Sequence, residues 1–450
     1  MTDKLGTTTA AAAMAARDRI RELLGRNTKG KPMGETIETR TLLQELTTAC
    51  QEANRTRVSG GEFGLLEALE FPLIDLSRAA RHEMYRFQDA LYEQLIKDDR
   101  FPGNTVRMIR CGPMGALGFY PHFAPQALMR LALRAGNPAE AITRFQRLIE
   151  MPSASGKTVY ALWGVPMEKE SQLTDKVTIM PIEQVPDSRQ KRKIMNPSYI
   201  DFGLSANSAL DFTPPQSALV VAHNIDPLFH DPESPEGETA RDEFRETDEL
   251  LSDITLVLTV VGSRVVLFAT QWFTFDDSDL NDVLLGTISR NSLHEILPIS
   301  PLTPSPILDS AEAQDIVRAY LRLDVASRNR VRVALRRFGQ ALRRHNPGDK
   351  AVELCTAFEA LLGDGGNTEM THKIAVRTAR LIGGDDETRK KNHHIMKQAY
   401  KIRSSLVHTG GVNIKNASGT IEQAISICAD IIKIIIRKGA IPNWQLFDIT

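Results

Sequence analysis

Between Ala399 and Gly411 the chain reads AYKIRSSLVHTGG, which sets a guanidinium at Arg403 and an imidazole at His408 with four residues between them. Those two groups suffice for phosphodiester chemistry without a metal. An arginine presents a fixed positive fork to phosphate oxygens, and a histidine can take the proton of a 2′-hydroxyl or return one to the leaving oxygen. The carbonyl end of a helix favours a cationic imidazole in its last turn, and Thr409-Gly410-Gly411 marks such an end.

The spacing by itself is weak. With 37 arginines and 10 histidines in 450 positions, about one Arg-x4-His pair is expected by chance, and a second copy runs from Arg389 to His394. Context separates the two. Arg389 and His394 sit in the polar run RKKNHH after Gly383-Gly384-Asp385-Asp386, whereas Tyr400, Ile402, Leu406 and Val407 supply apolar flanks around Arg403. Only the Arg403–His408 copy can line a pocket.

Five residues of α-helix rotate by about 500°, which leaves Arg403 and His408 about 140° apart. They cannot meet on one regular helix. Either the helix ends at His408, or a second subunit completes the site, and both can hold together. Nearby, Tyr400 lies three residues before Arg403 on nearly the same face, where it can donate to a phosphate or, more simply, pack, and Glu359 falls within an apolar helical run from which it can orient either residue or pair with a buried Arg.

The element that must carry this pair is a helical bundle over 311–440. Its segments are Ala311 to Leu321, Ser327 to Arg344, Lys350 to Leu362, Glu369 to Ile382, Arg389 to His408 and Thr420 to Lys438, most followed by a Gly or Pro breaker. The last is hydrophobic nearly all round, as a central core helix or a subunit interface would be. Four prolines between Pro298 and Pro306 make a stiff linker over 298–310 ahead of it. The 23 Lys and Arg against 12 Asp and Glu in residues 315–438 leave the rest of the chain acidic, a basic module on an acidic body. Arg328, Arg330, Arg332, Arg336, Arg337, Arg343 and Arg344 form a basic stripe, either a solvated face or a source of salt-dependent contacts to RNA.

Residues 1–150 read as mostly helical. They include an Ala-rich start (Thr7 to Ala16), helical periodicity from Gly61 to Leu95 and a helical hairpin from Gln126 to Glu150 across Gly136-Asn137-Pro138. Residues 151–297 read as a β-rich, regulatory segment with strands at Thr158 to Val165, Val177 to Ile182, Ser217 to His223, Ile254 to Val261 and Arg264 to Phe275. The last two are joined by Gly262-Ser263, as in a hairpin. Asp231 to Asp253 holds ten acidic residues against Arg241 and Arg245, which reads as a solvated loop or, more sharply, as a restraint folded onto the basic module. Residues 441–450 read as a tail.

Several classes fall away. Ser153-Ala154-Ser155-Gly156-Lys157-Thr158 is not a phosphate loop, because Met151 replaces the first glycine and a strand follows. Neither His223 with His230 nor His393 with His394 has further ligands at metal-site spacing, and no cofactor is expected. Cys50, Cys111, Cys355 and Cys428 lie far apart, which suits a reducing cytoplasm. No secretory leader or membrane span is expected.

The order AVELCTAFEALLGDGG, THKIAVRTARLIGG and QAYKIRSSLVHTGG resembles the HEPN superfamily, in particular the ApeA-like HEPN domains of bacterial abortive-infection proteins. The resemblance covers about 130 residues and is strongest from Ala351 to Gly411. It implies an α+β chain in which an N-terminal helical and β-containing region precedes a C-terminal all-α HEPN-like bundle. It further implies a metal-independent endoribonuclease toxin of anti-phage defence that cleaves RNA at a homodimer interface, with Arg403 and His408 catalytic and a phage-derived trigger sensed upstream. The family often has Asn, Asp or His directly after the arginine, where this chain has Ser404. The other class open to such a bundle is a non-catalytic HEPN module for dimerisation, RNA binding or protein contacts.

Overall fold

The computed structural model describes residues 39–55, 106–119, 124–195, 214–231, 236–283, 289–291, 305–364, 369–410 and 415–449. The Ala-rich start, the periodic run from Gly61 to Leu95 and Pro298 to Pro304 lie outside them. The fold is α+β. Helix α1 (Thr39–Arg55) is followed by strands β1 (Arg107–Arg110) and β2 (Ala116–Phe119), and then by the helical hairpin α2 (Ala124–Ala135) and α3 (Pro138–Glu150). Asn137 starts α3 by accepting from the backbone N–H groups of Ala139 and Glu140, and Pro138 occupies the first turn, where no N–H is needed.

Six antiparallel strands form the main sheet: β3 (Ala154–Trp163), β4 (Ser171–Gln172), β5 (Val177–Pro181), β6 (Ser217–Ile225), β8 (Leu267–Phe275) and β9 (Ser289–Asn291), in the order β4-β5-β6-β3-β8-β9. Strand β7 (Phe229–His230) instead joins β1 and β2. The two faces of the main sheet are apolar for different partners. Val159, Ala161, Trp163, Val220 and Trp272 pack toward α4 (Arg189–Met195), while Tyr160, Leu162, Leu219, Val221, Val177 and Ile179 face the other way. Phe273 and Phe275 join the core of the α2–α3 hairpin.

Two expectations are overturned between β7 and β8. The acidic run and the supposed strand at Ile254 to Val261 together form one helix, α5 (Glu236–Leu258). Its buried residues Leu251, Ile254, Val257 and Leu258 recur at helical intervals, and this periodicity overrides the β-branched composition. The hydroxyl of Thr255 is satisfied inside the helix by donating to the Leu251 carbonyl at 2.7 Å. Gly262 and Ser263 both have positive φ (74° and 48°), so they stop the helical course rather than turn a hairpin. Arg264 then donates back to the Val261 carbonyl at 2.7 Å.

Helix α6 (Ser278–Val283) closes the first part through its acids: Asp282 pairs with Arg134, and Asp277 and Asp279 pair with Arg147. The C-terminal bundle comprises α7 (Ser310–Leu321), α8 (Val325–Arg343), α9 (Pro347–Leu362), α10 (Met370–Ile382), α11 (Asp386–Thr409) and α12 (Ala417–Lys438). Helix α12 is its centre, with Ile421, Ile431, Ile432, Ile435 and Ile436 fully buried; truncating one of them to Ala would cost about 2–5 kcal/mol. The sheet and the bundle are not insulated from each other. The face of the sheet carrying Leu219 and Val177, the C-terminal half of α5 and the bundle share one apolar core.

Residues 444–449 are not a loose tail but a short helix, α13 (Trp444–Ile449). Buried Trp444 donates its indole N–H to the Leu361 carbonyl at 3.1 Å, and Asp448 pairs with the buried Arg377 at 2.6 Å. Arg377 also donates to Leu362, and Arg330 donates to Ala360 and Gly363. Side chains from three helices thus satisfy the carbonyls that end α9.

Candidate active site

Helix α11 carries both residues of the Arg403 and His408 pair. It starts where the Asp385 carboxylate accepts from the Thr388 N–H at 2.8 Å and stops at Gly410, whose φ of 69° suits a residue without Cβ. The Gly410 N–H still reaches the Leu406 carbonyl at 2.9 Å, so the backbone is helical through His408. Asn392, Ile395, Met396, Ala399, Tyr400 and Ile402 form the buried side of α11, against α9, α10 and α12. The helix ends at Thr409, one residue past His408, with Gly410 as its cap, as Thr409-Gly410-Gly411 suggests. Within it the two residues stand about 140° apart.

Arg403 is half-buried on the inner side of α11, and His408 is exposed on the outer side. Around Arg403 three groups converge. The Tyr400 hydroxyl donates to Glu359 Oε1 at 3.3 Å, and Cys355 lies one helical turn before Glu359 on α9. Burial pushes the Tyr400 hydroxyl far above its usual range; Cys355 and Glu359 add to the rise and the Arg403 charge opposes it. Burial likewise raises the Cys355 thiol, with Glu359 adding and Arg403 opposing. Tyr400 is thus a neutral donor that fixes a carboxylate within the electrostatic reach of the guanidinium. Arg403 makes no hydrogen bond or ion pair with the described residues, which leaves its fork available.

Glu359 has a second exposure. It lines an open cleft of about 800 Å³, together with Asn329, Arg330, Val333, Asp364 and Trp444. Of the charged groups in the cleft, Arg330 donates to the Ala360 and Gly363 carbonyls and Asp364 pairs with Lys373 and Arg377.

The arginine stripe on α8 is largely used inside the protein. Arg332 makes a two-pronged contact with Asp253 of α5 at 2.7 and 2.6 Å. Arg337 and Arg344 hold the two oxygens of buried Glu353, each at 3.1 Å. Arg328 donates to the Leu321 and Leu323 carbonyls. Arg336 and Arg343 remain exposed, with no ion pair or hydrogen bond to the described residues. Among the described residues, Asp253 in the buried half of α5 joins the acidic run to the basic module through its pair with Arg332.

Ser404, beside Arg403, is half-buried. Lys157 lies in β3 and pairs with Asp276 at 2.7 Å. His223 meets the Thr158 hydroxyl at 3.0 Å and His230 contacts the Asp231 carbonyl at 2.9 Å. Among the described residues no group of three or more His, Cys, Asp or Glu could hold a metal ion, and the four cysteines are free and buried. No helix among the described residues is long and apolar enough to cross a membrane.

The sequence reading passed over the outer face of α11. Lys390, His394, Lys397, Lys401 and His408 are all exposed, at spacings of four, three, four and seven. Lys390 and His394 fall within the RKKNHH run, and Lys397, Lys401 and His408 continue the row beyond it at helical spacing.

In comparison with known proteins, no protein-family model matches the chain, and no curated protein and no solved structure matches it significantly.

Proposed function

We propose that this chain is a metal-independent endoribonuclease of the HEPN type, acting as the toxin of a bacterial anti-phage, abortive-infection system in the cytoplasm. Its site is composite: Arg403 of one subunit stabilises charge on the phosphoryl group, while His408 of another moves the proton of the 2′-hydroxyl or the leaving oxygen. The observation that carries the reading is the free, half-buried Arg403 guanidinium beside Tyr400 and Glu359, with His408 exposed at the end of the same helix. Cleavage by this route leaves a 2′,3′-cyclic phosphate and a 5′-hydroxyl. The α/β region upstream shares a core with the bundle, so a trigger that alters it can reach α8 through α5.

The second reading is a non-catalytic HEPN module for dimerisation, RNA binding or protein contacts. It is favoured by Ser404 and by the divergence of the pair within one chain. Growth and RNA integrity in a bacterial host separate the two. Compared with and without phage challenge, wild type should arrest growth with RNA fragments ending in cyclic phosphate when the trigger is present, and Arg403→Ala and His408→Ala should not. Identical behaviour of all three under every condition would sink the nuclease reading.

A further inference from the structure

The α11 helix has two sides of opposite character. Taking Lys390 as zero and about 100° per residue, Lys397 and Lys401 lie within about 20° of it, His394 within about 40°, and His408 returns to the same line. The buried residues Asn392, Ile395, Ala399 and Ile402 centre on the opposite side. At about 1.5 Å per residue the row is about 27 Å long. All five side chains are exposed, and none makes a hydrogen bond or ion pair with the described residues. After Asp386 and Glu387 in the first turn, no acidic residue occurs before the helix ends at Thr409.

This differs from the α8 stripe, where five of the seven arginines are tied to carboxylates or carbonyls of the fold. Charges already paired inside the protein release no counterions when a polyanion arrives, whereas unpaired ones do. The row is one residue wide and contains no exposed apolar side chain. Val407, the large apolar residue exposed on this helix, lies about 100° round from it. A protein interface needs an apolar centre that this line lacks. Lysines on flexible stems can follow a backbone without reading bases, and Ser404 is small enough to leave the gap between Lys401 and His408 open.

We infer that the outer face of α11 is the track for single-stranded RNA, in which Lys390, His394, Lys397 and Lys401 hold phosphates and lead the strand to His408. The inference rests on the nuclease reading for the identity of the polyanion, but it concerns binding and is tested apart from cleavage.

The probe is a fluorescein-labelled, single-stranded 2′-O-methyl RNA of 20 nucleotides, which cannot be cut through its 2′-oxygen. Its binding to the full chain is followed by anisotropy in EDTA at several salt concentrations. The variants are the triple change Lys390→Gln, Lys397→Gln, Lys401→Gln and, as a charge control away from α11 and the arginine stripe, the exposed pair Lys169→Gln with Lys438→Gln. The triple variant should bind at least about tenfold more weakly at low salt, and its log–log salt slope should fall by about 2, as expected for three single-strand phosphate contacts. The control should change by less than about twofold. Circular dichroism and melting temperature establish that each variant folds.

Unchanged binding in the triple variant, an equal loss in the control, or no RNA binding by wild type would overturn the track. Binding of polyglutamate in place of RNA would also overturn it and make the face a protein contact. The nuclease reading fails separately: a native RNA of the same sequence bound on the track but cut by no variant, wild type included, would remove the cleavage and keep the track. RNA cut normally by a triple variant with normal affinity would do the reverse.

Discussion

Arg403 and His408 leave one uninterrupted helix about 140° apart, the arginine turned in toward Tyr400 and Glu359 and the histidine turned out to solvent. Within one chain the guanidinium and the imidazole therefore face different surroundings, and the composite site proposed above supplies the second group from another subunit.

Tyr400 is expected to be a positioning residue. Tyr400→Phe removes the phenol that holds Glu359 and should cost about 1 kcal/mol of stability. It should also lower kcat for RNA cleavage about tenfold with KM changed less than about twofold, the pattern of an interaction made in the transition state. Glu359→Gln should reproduce the kcat loss. If Tyr400→Phe melts earlier but its folded fraction cleaves at the wild-type rate, the tyrosine only packs.

The Asp253–Arg332 pair should lock α5 to the bundle. Asp253 is buried and Arg332 is partly so, and removing either strands a charge, so Asp253→Ala and Arg332→Ala should each cost about 3 kcal/mol. The double variant should show a coupling of about 1–3 kcal/mol in urea unfolding. Additive losses would mean that the two side chains do not depend on each other.

Acid should weaken the sheet through His223. Burial, with a smaller contribution from Lys176, lowers its pKa to about 4 from an ordinary 6.5. The folded state then binds fewer protons than the unfolded chain between those values, so the stability from this site is complete above about pH 6.5 and is lost as pH falls toward 4. After allowance for its partial exposure the effect is on the order of 1–2 kcal/mol. His223→Gln should flatten the fall in melting temperature over that interval; an unaltered pH profile would contradict the assignment.

Much of the architecture was legible in the chain. The α2–α3 hairpin, four strands of the main sheet and all six bundle helices lie where periodicity and breakers put them. The failure at Ile254 to Val261 has a physical cause: Ile, Thr and Val suit a strand locally, but their apolar positions also fit a helix whose N-terminal half is acidic in sequence. Reading the acidic and apolar parts as separate elements hid the continuous helix. Trp444 and Asp448 were missed because their partners, the Leu361 carbonyl and Arg377, are far away in sequence. Tyr400 and Glu359 could be named in advance, but only the packing of α9 on α11 brings the phenol to the carboxylate. Arginines on α8 looked available because their partners, Asp253 and Glu353, lie outside the stripe. The cationic row on α11 was written plainly in the spacing of its lysines.

The composite site is tested most directly by mixing two inactive variants. Arg403→Ala and His408→Ala are purified, combined in equal amounts and allowed to exchange subunits, and RNA cleavage is measured. If Arg403 of one subunit works with His408 of the other, half of the dimers are mixed and each holds one intact site of two, so activity should return to about a quarter of wild type. A mixture that exchanges subunits yet stays as inactive as its components, beside an active wild type, would contradict the account.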